Sequence, residues 1–330
     1  MNTRIVSFGH YVPPKVVTNK DLEKMMETSD EWIQQRSGIK ERRWVEKGVD
    51  TTLSMATKAC EEALKKANLK ADDIDAIIFG ALLSDYVFPG TGCLLQQSLG
   101  FKNNIPALDI RNQCSAFLYS LSIANAWIKS GMYKRVLIVG SEIHSNRLDK
   151  SPTGRDVGVL FGDGAGACIV EATKENTGVI DIHIASQGAG AGILCIKEPA
   201  SNIDLKEITD FSGKEFYPHM EGKVVFKNAI ERMTQSMTEL LHKNNLKTED
   251  VDFVIAHQAN MRINAMVLEQ LKIPWEKTHH TLDRYGNTTA ATIPLTMNEA
   301  IEQGKIKRGD TVALVAFGAG FTWGSAILKY

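Results

Sequence analysis

The chain of 330 residues predicts a duplicated α/β fold: two similar halves, each a mixed sheet between helix layers, stacked α-β-α-β-α. Three observations carry this. Short apolar runs alternate with helical patterns, as in sheets covered on both faces. A stretch starting Asn68-Leu69-Lys70-Ala71-Asp72-Asp73-Ile74-Asp75 returns as Asn245-Leu246-Lys247-Thr248-Glu249-Asp250-Val251-Asp252. At nearly the same offset, Arg135-Val136-Leu137-Ile138-Val139-Gly140 returns as Thr311-Val312-Ala313-Leu314-Val315-Ala316. A Gly-rich hairpin is expected after each, at Phe161 to Gly166 and at Phe317 to Phe321. Two matches in one order point to duplication, with halves at 1–175 and 176–330 and a site shared between them.

The elements follow in order. Ile5-Val6-Ser7-Phe8-Gly9 reads as a strand ended by Pro13-Pro14, too short to be the apolar region of a signal peptide. Leu53 to Ala67 reads as a helix, and Ile74 to Gly80 and Ile105 to Ile110 as strands. After Cys114, Phe117, Leu118, Leu121, Ile123, Ala124, Trp127 and Ile128 make a helix apolar nearly all round. In the second half, Val224 to Asn244 reads as a helix and Asp252 to Ala256 as a strand. The long polar segment from Lys197 to His219 is either a cap over the site or a surface excursion.

Composition narrows the function classes. The chain is 43% hydrophobic, ordinary for a globular protein. A net charge of -1 argues against nucleic acid as a partner. No run of ~20 apolar residues predicts a membrane span. The five cysteines are scattered without a CxxC pair, which argues against a disulfide scaffold or a metal site. The chain reads as a cytoplasmic protein, with Cys60 and Cys168 in its core.

Three distant segments carry the chemistry: Asn112-Gln113-Cys114-Ser115-Ala116-Phe117, His257-Gln258-Ala259-Asn260 and Gly286-Asn287-Thr288-Thr289. Cys114 follows a strand and opens a helix, where the helix end is expected to lower the thiol pKa. Taken singly, each residue also has a structural reading. Cys114 could simply begin a core helix, His257 could be a hydrogen-bonded strand end, and Gly286-Asn287 could be a turn. Taken together, they suit one reaction. A thiol takes up an acyl group, and neutral imidazole and carboxamide N–H groups face the enolate oxygen left by a decarboxylating malonyl thioester. Decarboxylation itself makes the carbanion, so no Asp or Glu is expected beside them.

At these residues the chain resembles the β-ketoacyl-acyl carrier protein synthase III family of the thiolase superfamily. The resemblance runs from Arg4 to Tyr330. It includes Ser29-Asp30-Glu31-Trp32-Ile33, Arg36-Ser37-Gly38-Ile39, Phe161-Gly162-Asp163-Gly164-Ala165-Gly166, His257-Gln258-Ala259-Asn260, Arg284-Tyr285-Gly286-Asn287-Thr288 and Phe321-Thr322-Trp323-Gly324-Ser325. The resemblance implies a thiolase-like fold with a Cys114–His257–Asn287 triad and an oxyanion hole from the N–H groups of Cys114 and Ala319. It implies that Trp32 and Arg36 flank a coenzyme A nucleotide, with Arg155 close by, and that Asn260 lines a pantetheine tunnel. By the same resemblance Phe317 lies beside the cysteine, Phe88 reaches the acyl pocket of a second subunit in a homodimer, and Arg262 and Lys227 dock an acyl carrier protein. The implied activity joins an acyl-coenzyme A primer to malonyl-acyl carrier protein or malonyl-coenzyme A, with no cofactor, to initiate fatty acid synthesis.

Sister families fit less well. Thiolases need a second cysteine near the C-terminal glycine loop, and elongating synthases use two histidines where this chain has Asn287. The chain also departs from the family's usual pattern. Arg111-Asn112-Gln113 replaces alanines before the nucleophile, Asp156 follows Arg155 where Gly is common, and Glu269-Gln270 occupies positions that are often basic. These departures leave a second reading, a specialised relative that condenses or transfers longer acyl chains. A third, from another class, is a non-catalytic acyl-binding protein, against which the intact triad argues.

Overall fold

Two sheets frame the molecule, both built from the short apolar runs that alternate with helices. The structure, a computed structural model, describes residues 1–201 and 203–330. Its principal elements are β1 (Asn2–Tyr11), α1 (Thr52–Ala67), β2 (Ala76–Gly80), β3 (Ala107–Ile110), α2 (Ala116–Lys129), β4 (Arg135–Glu142) and β5 (Gly164–Thr173). The second part of the chain adds β6 (Gly178–Ser186), α3 (Gly222–Lys243), β7 (Phe253–Ala256), α4 (Met261–Gln270), α5 (Thr292–Glu302), β8 (Thr311–Gly318) and β9 (Thr322–Lys329).

The first sheet runs β1-β5-β4-β2-β3 and the second β7-β8-β9-β6. In the first, β2 is parallel to β3 and β4, and β5 is antiparallel to β4 and β1. In the second, β7 is parallel to β8, and β9 is antiparallel to β8 and β6. Strand for strand, β7-β8-β9-β6 repeats β2-β4-β5-β1, while β3 has no counterpart among the described residues. The repeat reaches single side chains. Asn68 and Asn245 both take φ 55°, a left-handed conformation that Asn tolerates. The Lys70 N–H donates to Asp73 and the Lys247 N–H to Asp250, each at 2.8 Å. Asp75 and Asp252 accept from the N–H groups of Arg135 and Thr311, again at 2.8 Å. These turns need the same residue types twice, which is why the sequence repeats there.

Helices α2 and α5 form the central layer. Phe117 and Leu118 of α2 and Ile293 and Met297 of α5 share one core with Ile78 and Ile138 of the first sheet and Ile255 and Leu314 of the second. Pro294 is tolerated in α5 because it lies in the first turn, where its missing N–H has no helical partner. Helix α1 covers the outer face of the first sheet, with Met55 and Ala59 on Ile77 and Leu137. Helices α3 and α4 cover the second, with Met237 and Val267 around Val254 and Val315. The layering is therefore α-β-α-β-α, a thiolase-like arrangement.

Some expectations shift. Helix α3 starts at Gly222 rather than Val224, and β2 starts at Ala76 because Ala71–Asp73 forms a separate turn of helix. Phe161 to Gly166 is not a hairpin: Gly164 opens β5, and Phe161 bridges to Asn287. The polar segment from Lys197 hangs from a ribbon pairing Leu194–Cys195 with His219–Met220. Its Asn202 lies outside the described residues. Cys60 and Cys168 are fully buried. Among the described residues, no helix is long and apolar enough to cross a membrane.

Candidate active site

The nucleophile candidate stands where the odd strand ends. The chain leaves β3, makes one turn of 3-10 helix over Gln113–Ser115 and enters α2. Gln113 takes φ 40°, uncommon outside glycine, and Cys114 follows it at 8% exposure. The turn is tied to the far half of the chain: Ser115 Oγ lies 2.7 Å from Thr322 Oγ1, which donates to the Ala319 carbonyl at 2.9 Å.

His257 follows β7 and is buried. Its Nδ1 lies 2.7 Å from Thr292 Oγ1, and its Nε2 has no partner among the described residues. Burial lowers its pKa to about 3, so the ring is neutral near neutral pH. Asn287 follows Gly286, whose φ of 65° favours glycine. The Asn287 main chain pairs with Leu160 and Gly162 at 2.9 and 3.1 Å. Its Oδ1 accepts from the Thr289 N–H at 2.8 Å. Cys114, His257 and Asn287 all line one cavity of about 100 Å³, together with Phe317 and Asn260.

Two expectations fail at this centre. Burial pushes the Cys114 thiol up to about 12, with Glu142 acting in the same direction and the Asn287 side chain opposing it. The cause is loss of hydration, which penalises the thiolate. A carboxylate also reaches this centre, through Thr289. Glu142, at the end of β4, is fully buried and accepts from the N–H groups of Leu82 and Leu83 at 2.9 and 3.1 Å. It also accepts from the Thr289 hydroxyl at 3.2 Å. Burial raises its pKa to about 7. A glutamate closing an otherwise apolar strand was the available signal.

The other candidates spread around this centre. Cys114 and Ala319 line a second cavity of about 340 Å³ with Arg111, Gln113 and His144. The ribbon below Lys197 walls both cavities through Leu194. An outer cleft is lined by Trp32, Arg36, Asp156, Asn260 and Arg262. Arg36 and Arg155 both lie over the Trp32 ring, 5.5 and 5.2 Å from its centroid. Asn260 caps α4 through the Arg262 N–H at 2.9 Å and donates to the Arg36 carbonyl at 2.9 Å. It lines both the outer cleft and the inner cavity. Phe317 packs on Phe321 with centroids 4.9 Å apart. Arg262 lies over Phe226 at 5.3 Å, and Lys227 is exposed on α3. Phe88 is 84% exposed and lines neither cavity of its own chain. Among the described residues, no group of three or more His, Cys, Asp or Glu side chains could hold a metal ion.

Comparison with known proteins gives concordant matches. The sequence profile described as 3-oxoacyl-(acyl-carrier-protein) synthase III matches residues 108–188, and the profile for the C-terminal part of that enzyme matches 241–330. The chain is 44% identical over 336 aligned positions to the β-ketoacyl-(acyl-carrier-protein) synthase III of Campylobacter curvus, covering 100% of this chain and 97% of that one. It is 42% identical to synthase III 1 of Vibrio parahaemolyticus, with both chains fully covered. The crystal structure of 3-oxoacyl-(acyl-carrier-protein) synthase III from Aquifex aeolicus superposes with a TM-score of 0.91 at 41% identity, covering 99% of this chain and 100% of that one.

Proposed function

The chain belongs to the 3-oxoacyl-(acyl-carrier-protein) synthase III family, and on that premise we propose that it is a decarboxylating condensing acyltransferase. It joins an acyl-coenzyme A primer to malonyl-acyl carrier protein and so opens fatty acid synthesis. One observation carries the assignment of roles: Cys114, His257 and Asn287, from three distant segments, line one cavity.

The sulfur of Cys114 attacks the primer thioester, and the developing oxyanion faces the N–H groups of Cys114 and Ala319. The tetrahedral adduct collapses, coenzyme A leaves as its thiol with the proton that Cys114 gave up, and the acyl group stays on sulfur. A malonyl thioester then loses carbon dioxide, and the electron pair of the broken bond becomes an enolate. Its oxygen accepts from N–H groups of His257 and Asn287. A neutral His257 ring, which follows from its burial, donates to the enolate through Nε2 when Nδ1 accepts from the Thr292 hydroxyl, and an anion formed by decarboxylation needs no proton transfer. The enolate carbon attacks the acyl-enzyme carbonyl, and the product departs as the Cys114 thiolate leaves and takes a proton. These residues supply the chemistry without a cofactor.

Substrate approach follows the outer cleft. Trp32 with two guanidinium groups close to its ring suits an adenine and its phosphates, and Asn260 suits the pantetheine amides. Arg262 and Lys227 dock the acidic carrier protein, with malonyl-coenzyme A as the other candidate extender. The exposed Phe88 fits a cytoplasmic homodimer in which it reaches the second subunit's acyl pocket. Intact-mass spectrometry after exposure to acyl-coenzyme A donors of short, medium and long chain tests the reading, with Cys114→Ala as control. A mass gain in the native chain and none in the variant is expected. Loading that persists in the variant would sink the assignment of Cys114.

A further inference from the structure

We propose that Glu142 is a positioning residue for the carboxamide of Asn287, acting through Thr289. The proposal rests on Cys114 as the acyl carrier and Asn287 as an enolate donor. It begins from a property of the carboxamide: its two ends are nearly the same shape, and only Nδ2 can donate to an enolate oxygen. Something must stop the group from turning over. The Thr289 N–H does so by donating to Oδ1 at 2.8 Å, which leaves Nδ2 for the cavity.

That N–H points at Asn287 because of how Thr289 is held. Thr289 takes φ 46°, a left-handed conformation that a β-branched residue adopts only under constraint. The constraint is its side chain. A hydroxyl has one proton, and Thr289 Oγ1 has two neighbours, Glu142 Oε2 at 3.2 Å and His144 Nε2 at 3.3 Å. An ionised carboxylate accepts and never donates, so the Thr289 proton goes to Glu142 and the His144 N–H donates to Thr289. The chain of bonds then runs in one direction, from His144 through Thr289 to Glu142. His144 is buried and neutral, which is consistent with a single ring N–H facing Thr289.

The carboxylate is itself fixed. It is fully buried and accepts from the N–H groups of Leu82 and Leu83 as well as from Thr289. All the hydrogen-bond partners that it faces are donors, a set that fits the ionised form. Protonation would place a donor among donors and break the chain at Thr289. The titratable groups facing Glu142 are Asp163, whose charge favours that protonation, His144, and the Cys114 thiol. Burial and Asp163 together bring its pKa to about 7, within reach of an assay.

The test separates the two half-reactions. Acyl loading is followed by intact mass. Release of carbon dioxide from malonyl-acyl carrier protein is followed on enzyme loaded with the donor that acylates the native chain best. Glu142→Gln is expected to slow carbon dioxide release by about tenfold or more, in kcat rather than KM, while loading stays within about threefold. Native release should fall as pH drops through about 7, and that limb should vanish in Glu142→Gln. Native rates with the same acid limb in the variant would overturn the proposal. So would an equal loss of both half-reactions, the mark of a general structural role. If Glu142→Gln does not fold, Thr289→Ala and Thr289→Ser decide: selective loss in the first with near-native rates in the second is expected, and equal behaviour would overturn it. A native chain that takes up no acyl group removes the reaction in which Asn287 acts and overturns both readings, whereas normal condensation by every variant overturns this one alone.

Discussion

Gly318 and Cys114 are packed so closely that a Cβ on Gly318 would lie 2.7 Å from the Cβ of Cys114. The contact joins the end of β8 to the turn that carries Cys114, and the backbone N and Cα of Cys114 stand close behind at 3.4 Å. Neither side is the free end of a flexible side chain, so an added methyl must displace the thiol or the glycine loop. Gly318→Ala is therefore expected to cut acyl loading by about a hundredfold, since a misplacement of roughly 1 Å is enough for that. Loading measured by intact mass, with circular dichroism as a check on folding, reads the effect. Native loading would mean that the loop yields freely.

The buried thiol predicts a pH dependence. With its pKa pushed up to about 12, the thiolate fraction of Cys114 rises with every pH step below that value. Alkylation by iodoacetamide should climb from about pH 6 to about pH 9 without levelling, because thiolate is the nucleophile. A plateau near neutral pH would mean that the helix end outweighs burial.

On the proposed roles, replacing His257 or Asn287 by Ala removes one enolate donor each. Decarboxylation should fall by roughly a hundred- to a thousandfold, and acyl loading should fall much less. Stopped assays of each half-reaction separate the two. A defect mainly in loading would contradict the role of these two residues as enolate donors.

Arg42 is a stability prediction. It is fully buried and donates to Val17 O at 3.3 Å, Asn19 Oδ1 at 2.8 Å and Val159 O at 2.8 Å. Arg42→Ala leaves those acceptors unpaired around a cavity, which should destabilise the fold by at least about 1–3 kcal/mol. Thermal unfolding of the variant checks this, and an unchanged Tm would show that the pocket refills.

Trp32 tests the outer cleft. Its ring lies against Arg36 and Arg155, and a cation–π contact contributes about 0.5–1 kcal/mol at an exposed site. Trp32→Ala should raise the KM for acyl-coenzyme A by about two- to fivefold and leave kcat nearly unchanged. A drop in kcat alone would place Trp32 elsewhere in the cycle.

Much of the frame was legible because local rules wrote it twice. Asn68 and Asn245 mark left-handed turns, Asp75 and Asp252 accept from the first residue of the neighbouring strand in each copy, and Ile77-Ile78 and Val254-Ile255 announce fully buried strands. The cluster of Cys114, His257 and Asn287 could be named because each ends a recognisable strand or turn. Other features depend on distant partners. Glu142 looks like a strand end and becomes a neighbour of Thr289 only when the two sheets stack. The height of the Cys114 pKa follows from how completely its surroundings close, a property of the packed molecule and not of the helix that follows it. Phe161 joins Asn287 rather than a hairpin, because Gly162 approaches the backbone of Tyr285 too closely for any side chain.

The strand β3 makes the two sheets unequal, five strands against four. It serves as the ramp on which Cys114 arrives, and nothing in the second sheet plays that part. The imbalance gives the interior a polarity that two identical copies would lack: Cys114 enters from one side, and His257 and Asn287 enter from the other. Separated from each other, the two repeats would each hold half of the proposed site.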